Sequence, residues 1–103
     1  MDDLEKDRLC MAAIGLWGIS AQQSMVVEEC SELIFTICKF NRGKKTAAEI
    51  SEEIADCKIM FYQLMYMLGI PDIEVRAHED IKWERLKHRI EKAQEEKHNR
   101  GRG

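Results

Sequence analysis

The chain carries Val26-Val27-Glu28-Glu29-Cys30-Ser31-Glu32-Leu33 and, 24 positions later, the near copy Ile50-Ser51-Glu52-Glu53-Ile54-Ala55-Asp56-Cys57. Both copies keep the order acid, acid, two other residues, acid. Apolar residues recur at helical spacing through each copy, which predicts an amphipathic helix in both places. The duplication therefore predicts two neighbouring helices with carboxylates at matched positions.

Breaks in the apolar pattern divide the chain into four predicted helices, and so predict an all-α fold. The first covers residues 2 to 17, and the second runs from about residue 21 to 40 with Ser20 as its N-cap. The third begins at a capping box formed by Thr46 and Glu49 and continues to about Leu68. The fourth follows a Gly-Ile-Pro break and carries an apolar row at spacings of three, four and three: Trp83, Leu86, Ile90 and Ala93.

With 103 residues, the chain is expected to form one domain. We assign residues 1–94 to the helical domain and residues 95–103 to a flexible polar tail, because the last stretch has no apolar anchor. The linker between helices two and three is only a few residues long, which favours antiparallel packing of the two. The chain is large enough to form a core of its own, but small enough that burial of apolar surface against a second subunit would help to stabilise it.

Charge and hydropathy exclude two classes of partner. A net charge of -3 and a pI near 5.6 give no basic footprint for a nucleic acid polymer. No apolar run approaches the roughly 20 residues needed to span a bilayer, so we expect no membrane association and a cytoplasmic location. The four cysteines lack the spacing of a zinc or redox motif, and we interpret them as small apolar residues in a reducing compartment.

Helical phase separates the six acids of the duplicated pattern. At about 100° per residue, the apolar stripe of helix two consists of Val26, Cys30, Leu33 and Ile37, and that of helix three consists of Ile50, Ile54, Cys57 and Phe61. Two acids on each helix lie on one flank of its stripe: Glu29 and Glu32, then Glu53 and Asp56. Glu28 and Glu52 point away from the core. The four flanking acids are thus the candidate metal ligands.

Four carboxylates at one core edge repel one another unless protons or cations neutralise them. Ligation by oxygen alone suits Mg²⁺ or Mn²⁺ better than zinc. A di-iron centre is disfavoured, since it normally uses Glu-x-x-His on two helices and here both copies end in a carboxylate. The competing interpretation is a solvated acidic helix face, which is the usual role of such a pattern when it occurs once.

The pattern Glu28-Glu29-x-x-Glu32, followed by Glu53-x-x-Asp56, resembles the MazG-like branch of the all-α nucleoside triphosphate pyrophosphohydrolases. The resemblance is firm from about residue 16 to 68, about half the chain, and weaker beyond. It implies a four-helix MazG-like bundle assembled as a homodimer or homotetramer. It also implies Mg²⁺-dependent cleavage of a nucleoside triphosphate to the monophosphate and pyrophosphate. Such an enzyme would act as a house-cleaning hydrolase, which removes unwanted nucleotides from the nucleotide pool. By this similarity Glu29, Glu32, Glu53 and Asp56 would be both the Mg²⁺ ligands and the catalytic acids.

Three further residues are candidate nucleotide contacts: Lys39 for the phosphates, Trp17 for stacking on a base and Gln22 for reading it. The loop cations Arg42, Lys44 and Lys45 are weaker candidates for the phosphates. Each also has a structural interpretation, namely a basic helix end, a core tryptophan and an exposed amide. Two non-catalytic functions stay open beside the enzyme: a helical interaction module, and a nucleotide-sensing module.

Overall fold

The structure is a computed structural model and describes residues 1–102. Over this range it consists of four α-helices and no strand, which confirms the predicted all-α class. The helices are α1 (Asp3–Trp17), α2 (Ile19–Asn41), α3 (Ala47–Leu68) and α4 (Asp72–Arg102).

The α1–α2 junction corrects one predicted boundary. We expected Ser20 to cap α2, but the helix begins at Ile19 and Gly18 occupies the N-cap position. Gly18 also ends α1, where its backbone N–H donates to the carbonyl of Ile14. A single residue with φ of 85° therefore serves both helices. Because glycine adopts positive φ without steric cost, the chain can turn there in one step.

The start of α3 is as predicted. The Thr46 hydroxyl accepts from the backbone N–H of Glu49 at 3.2 Å, and Oε1 of Glu49 accepts from the backbone N–H of Thr46 at 3.2 Å. The two residues form the expected capping box. At the other end Gly69 has the left-handed φ of 66°, as predicted for the residue after a helix.

Packing of α2 against α3 is the most extensive contact within residues 1–70, and α1 packs on both helices. On α2 the enclosed residues recur at spacings of four, three, four and three: Gln22, Val26, Glu29, Leu33 and Thr36. On α3 they follow a matching row: Ile50, Glu53, Cys57, Met60 and Leu64. We call these two rows the seam.

The seam differs from the stripes predicted from apolar residues alone. Ile37, Ile54 and Phe61 are 40%, 45% and 47% exposed, so their predicted core positions are wrong. Gln22 and Thr36 are buried at 6% and 5% exposure. On α2 the mean direction of the buried residues Gln22, Val26 and Thr36 is rotated by about 50° from the centre of the predicted apolar stripe. On α3 the mean direction of the buried residues Cys57 and Met60 is rotated by about 60°. Both rotations are toward the acids.

A tyrosine links α1 to α3. The Tyr62 hydroxyl donates to Oδ1 of Asp7 at 2.7 Å, and the ammonium of Lys6 lies 5.6 Å from the centre of the Tyr62 ring. The carboxylate of Asp7, which accepts this hydrogen bond, is the main cause that raises the pKa of Tyr62 to about 12. This polar contact therefore joins the first half of α1 to α3.

The chain divides into two compact units, residues 1–70 and the residues from Pro71 onward. The second unit is α4, which remains helical through Arg102 and so includes most of the predicted polar tail, residues 95–103. Gly103 lies outside the described residues. The domain boundary between residues 94 and 95 and the flexibility of that tail stay predictions.

Among the described residues, no single helix is both long and apolar enough to cross a bilayer. The α1–α2 pair meets that criterion by length and composition only when taken together, and it is bent by 110°.

Candidate metal centre

The two copies of the acidic pattern place their central glutamates in the seam. Glu29 and Glu53 are half-buried, whereas Glu28 and Glu52 are exposed, as the helical phase predicts. On the helical wheel Glu29 lies about 20° and Glu53 about 10° from the centre of the buried positions. Both acids are therefore part of the helix contact rather than its border.

Three carboxylates from the two helices converge at this point. One oxygen each from Glu29, Glu53 and Asp56 lies within 4.8 Å of the other two. Two oxygens at the usual Mg–O distance of about 2.1 Å from one ion are roughly 3 to 4 Å apart, so a small closure of these side chains would bring them to ligand spacing. We call these three residues the acidic cluster.

Two oxygens of the cluster have no hydrogen-bond donor. Oε2 of Glu29 and Oε2 of Glu53 are both buried and unpartnered. A buried polar atom usually has a partner, because desolvation without a new hydrogen bond costs free energy. A cation or a proton would supply what these two oxygens lack.

Electrostatics agree with the geometry. Burial, and next the charges of Glu32, Asp56 and Glu53, raise the pKa of Glu29. Burial, and next the charges of Glu32 and Asp56, raise the pKa of Glu53. Both carboxyls therefore hold a proton more readily than in an unfolded chain, and a divalent cation would compete with that proton.

The fourth predicted ligand occupies a different position. Glu32 is exposed and is not one of the three converging acids, although its charge is the strongest carboxylate influence on Glu53. It lies one turn beyond Glu29, at the solvent side of the cluster. Its charge therefore acts on both glutamates of the cluster, although its side chain does not converge with them.

The predicted nucleotide contacts fall in different environments. The ammonium of Lys39 lies 4.5 Å from the centre of the Phe35 ring, which is a cation–π distance. Trp17, at the end of α1, is 64% exposed and leaves its ring open to solvent. Gln22 is buried in the seam, two turns before Glu29. Of the three, it is therefore the least available to a ligand.

Thiols flank the cluster, a feature that the sequence reasoning missed by treating the cysteines only as apolar filling. Cys57 is 2% exposed, and its Sγ donates to the backbone carbonyl of Glu29 at 3.5 Å. Burial and then the neighbouring Cys30 raise the pKa of the Cys57 thiol. The signal in the sequence is that each cysteine directly follows an acid of the cluster: Glu29-Cys30 and Asp56-Cys57.

Lys45, which directly precedes the N-cap of α3, is a cation near the acidic cluster. Nζ of Lys45 forms an ion pair with Oε2 of Glu49 at 3.0 Å, and the charge of Lys45 opposes the carboxylates that raise the pKa of Glu53. Glu49 and Glu53 lie one turn apart on the same face of α3. Lys45 is therefore the loop cation that the fold directs toward the acids.

Comparison with protein-family models, with curated proteins and with solved structures returns no match to this chain. The likeness to the MazG-like family therefore depends on the two acidic motifs alone.

Proposed function

We propose that this protein is a Mg²⁺-dependent nucleoside triphosphate pyrophosphohydrolase of the MazG-like type, which converts a nucleoside triphosphate to its monophosphate and pyrophosphate. One observation carries the proposal: three carboxylates converge from two helices, and two of them present buried oxygens without a donor. The motif resemblance supplies the substrate class. Mn²⁺ is the alternative ion, because it accepts the same oxygen ligands.

Each acid has a part in this proposal. Glu29, Glu53 and Asp56 would hold the metal, and Glu32 would complete its surroundings from the solvent side. A bound Mg²⁺ neutralises phosphate oxygens and lowers the pKa of coordinated water. One of the four acids would accept the proton of the attacking water. Lys39 would contact the phosphates, and Trp17 would stack on the base. Gln22 is buried in the seam, so it would contact the base only if its side chain moved out of the helix contact.

The proposal includes antiparallel helices α2 and α3 and a homodimer or homotetramer. The connection between the two helices, residues 42–46, is short enough to favour the antiparallel arrangement. Large apolar side chains remain exposed along α2, among them Val27, Ile34 and Phe35 at 66%, 63% and 59%. A second subunit that covers such residues would remove this apolar surface from water.

The experiment is thermal unfolding of the wild type, Glu53→Gln and Glu52→Gln, in chelator and in millimolar Mg²⁺ or Mn²⁺. We expect the metal to raise the Tm of the wild type and of Glu52→Gln, because binding to the folded state alone stabilises it. Glu53→Gln should lose that rise. Glu52 is the matched control, since it is the adjacent glutamate on the same helix and faces solvent.

Activity is tested by pyrophosphate release from a panel of canonical and modified nucleoside triphosphates with Mg²⁺. We expect release from at least one member with the wild type and a loss of about 100-fold or more with Glu53→Gln. Metal binding without release from any member would leave a nucleotide-sensing module as the function.

A helical interaction module is the second candidate, and α4 favours it. Trp83, Leu86 and Ile90 form an exposed apolar row on one face of α4, which Lys87, Glu91 and Gln94 border. This module predicts no change of Tm with metal, so the same thermal series distinguishes it from the enzyme.

A further inference from the structure

We propose that Lys45 is a phosphate-binding residue of the acidic cluster, an inference that rests on the proposed function and identifies where its substrate's phosphates lie. The Lys45 ammonium would contact phosphate oxygens, and the carboxylates would hold the metal ion to which the same phosphates bind.

The first support is that the position of the ammonium is fixed. Glu49 accepts from the backbone N–H and the hydroxyl of Thr46 with Oε1, and from Lys45 with Oε2. The capping box therefore positions the Glu49 carboxylate, and the ion pair with that carboxylate positions the Lys45 ammonium. The Lys45 side chain is 34% exposed, which leaves its ammonium partly open to a ligand.

The second support is its place relative to the cluster. Lys45, Glu49 and Glu53 are spaced by four residues, so Glu49 and Glu53 lie on one face of α3 and Lys45 stands before them. One helical turn rises about 5.4 Å, so Glu49, which binds the ammonium, lies about one turn from Glu53. The charge of Lys45 also acts on the Glu53 carboxyl, whose pKa it lowers. A polyphosphate can reach both, because it carries several oxygens along its length.

The third support is the place of Lys45 at the amino-terminal end of α3. The helix dipole opposes a cation there and favours an anion. A phosphate bound at this position would therefore interact favourably with both the ammonium and the helix end.

The test measures binding of inorganic pyrophosphate in the presence of Mg²⁺, and of Mg²⁺ alone, by calorimetry on the intact protein. The variants are Lys45→Met, Lys45→Arg and the control Lys58→Met, which removes an exposed lysine of α3. We expect Lys45→Met to weaken pyrophosphate binding by about tenfold or more, and Lys45→Arg to retain most of it. Lys58→Met should stay within about twofold of the wild type.

Binding of Mg²⁺ alone separates a phosphate contact from a structural one. Lys45→Met should bind Mg²⁺ as tightly as the wild type or more tightly, because a positive charge near the cluster has been removed. The proposal is overturned if Lys45→Met binds pyrophosphate as tightly as the wild type does, if it loses Mg²⁺ affinity and Tm in parallel, or if the wild type binds no pyrophosphate.

The outcome is distinguishable from that of the proposed function. Pyrophosphate binding that depends on Lys45, without cleavage of any triphosphate, would support the inference and reject the hydrolase. Cleavage with the same KM in the wild type and in Lys45→Met would support the hydrolase and reject the inference.

Discussion

Glu29 and Glu53 are titratable groups inside a helix contact, and this makes the stability of the metal-free protein depend on pH. Their pKa values are raised in the folded state from the ordinary value of 4.5, chiefly by burial. A carboxyl of this kind stabilises the fold while it is protonated. That contribution is complete below pH 4.5 and is lost as the pH rises through the higher pKa of the folded state.

We therefore expect the wild type in chelator to lose stability relative to Glu53→Gln as the pH rises above about 4.5. Urea unfolding of both proteins across a pH series measures the difference in free energy of unfolding. Glu52→Gln is the control and should follow the wild type, because its side chain is exposed. Identical pH dependence in the wild type and Glu53→Gln would show that the cluster carries no such strain.

Tyr62 gives a second expectation, in the alkaline range. Its phenol has a pKa of about 12 because it donates to Asp7, so the hydrogen bond stabilises the fold fully below pH 10 and is lost as the pH rises through about 12. The stability advantage of the wild type over Tyr62→Phe should shrink between these values. Ultraviolet titration of the phenolate, with Tyr66→Phe used to assign the signal, checks the pKa directly; titration of Tyr62 near pH 10 would contradict the expectation.

At the scale of the element, the start of α3 controls both the helix and the position of Lys45. Thr46→Ala removes the hydroxyl that accepts from Glu49, and we expect it to destabilise the protein by about 1 kcal/mol. Thr46→Ser keeps an acceptor at this place and should retain most of the stability. Urea unfolding measures both; an unchanged free energy of unfolding in Thr46→Ala would mean that the cap contributes nothing.

The same element shows what the sequence could predict. Thr46 and Glu49 satisfy each other within four residues, so a local pattern was sufficient to locate the cap. The start of α2 was different, because Gly18 is both the C-cap of α1 and the N-cap of α2. Ser20 was predicted as the N-cap only because serine is a common residue type at that position. Local chemistry predicted the helices, but it did not distinguish between two adjacent candidate starts.

Helical phase predicted which side of each helix carries the acids, but not how deeply they lie in the helix contact. It grouped Glu29 and Glu32 with Glu53 and Asp56 and set Glu28 and Glu52 aside, whereas in the structure three of the four converge and Glu32 is exposed. The phase was computed from apolar residues, and it missed the seam because Gln22 and Thr36 are buried although they are polar. Which face of a helix is enclosed depends on the shape of its partner, and a single sequence does not contain that shape explicitly.

At the scale of the whole molecule, apolar surface is the main feature to account for. Within residues 1–102, the buried apolar residues are Cys10, Val26, Cys57 and Met60. In α4 no residue is buried, and Trp83, Leu86 and Ile90 are 67%, 41% and 46% exposed. Because so few apolar side chains are buried within one chain, a second subunit that covered the exposed ones would add to the stability of the fold.

We expect a solution mass of two or four times 12.0 kDa, as the proposed homodimer or homotetramer requires. Light scattering coupled to size exclusion measures it at micromolar protein. Ile90→Glu, which places a charge in the apolar row of α4, should lower the mass if α4 lies in the interface, whereas the control Lys92→Glu should not. A wild type of one chain mass would reject the oligomer.

The unpartnered oxygens of Glu29 and Glu53 also have a consequence for laboratory evolution. A library of random variants, selected only for heat resistance in a chelating medium, should accumulate neutral residues at these two positions, because each replacement removes a buried charge that nothing satisfies. A parallel selection for growth that requires the proposed pyrophosphohydrolase activity should keep both glutamates. Opposite results at the same two codons would show that the chain gives up stability to keep its cluster.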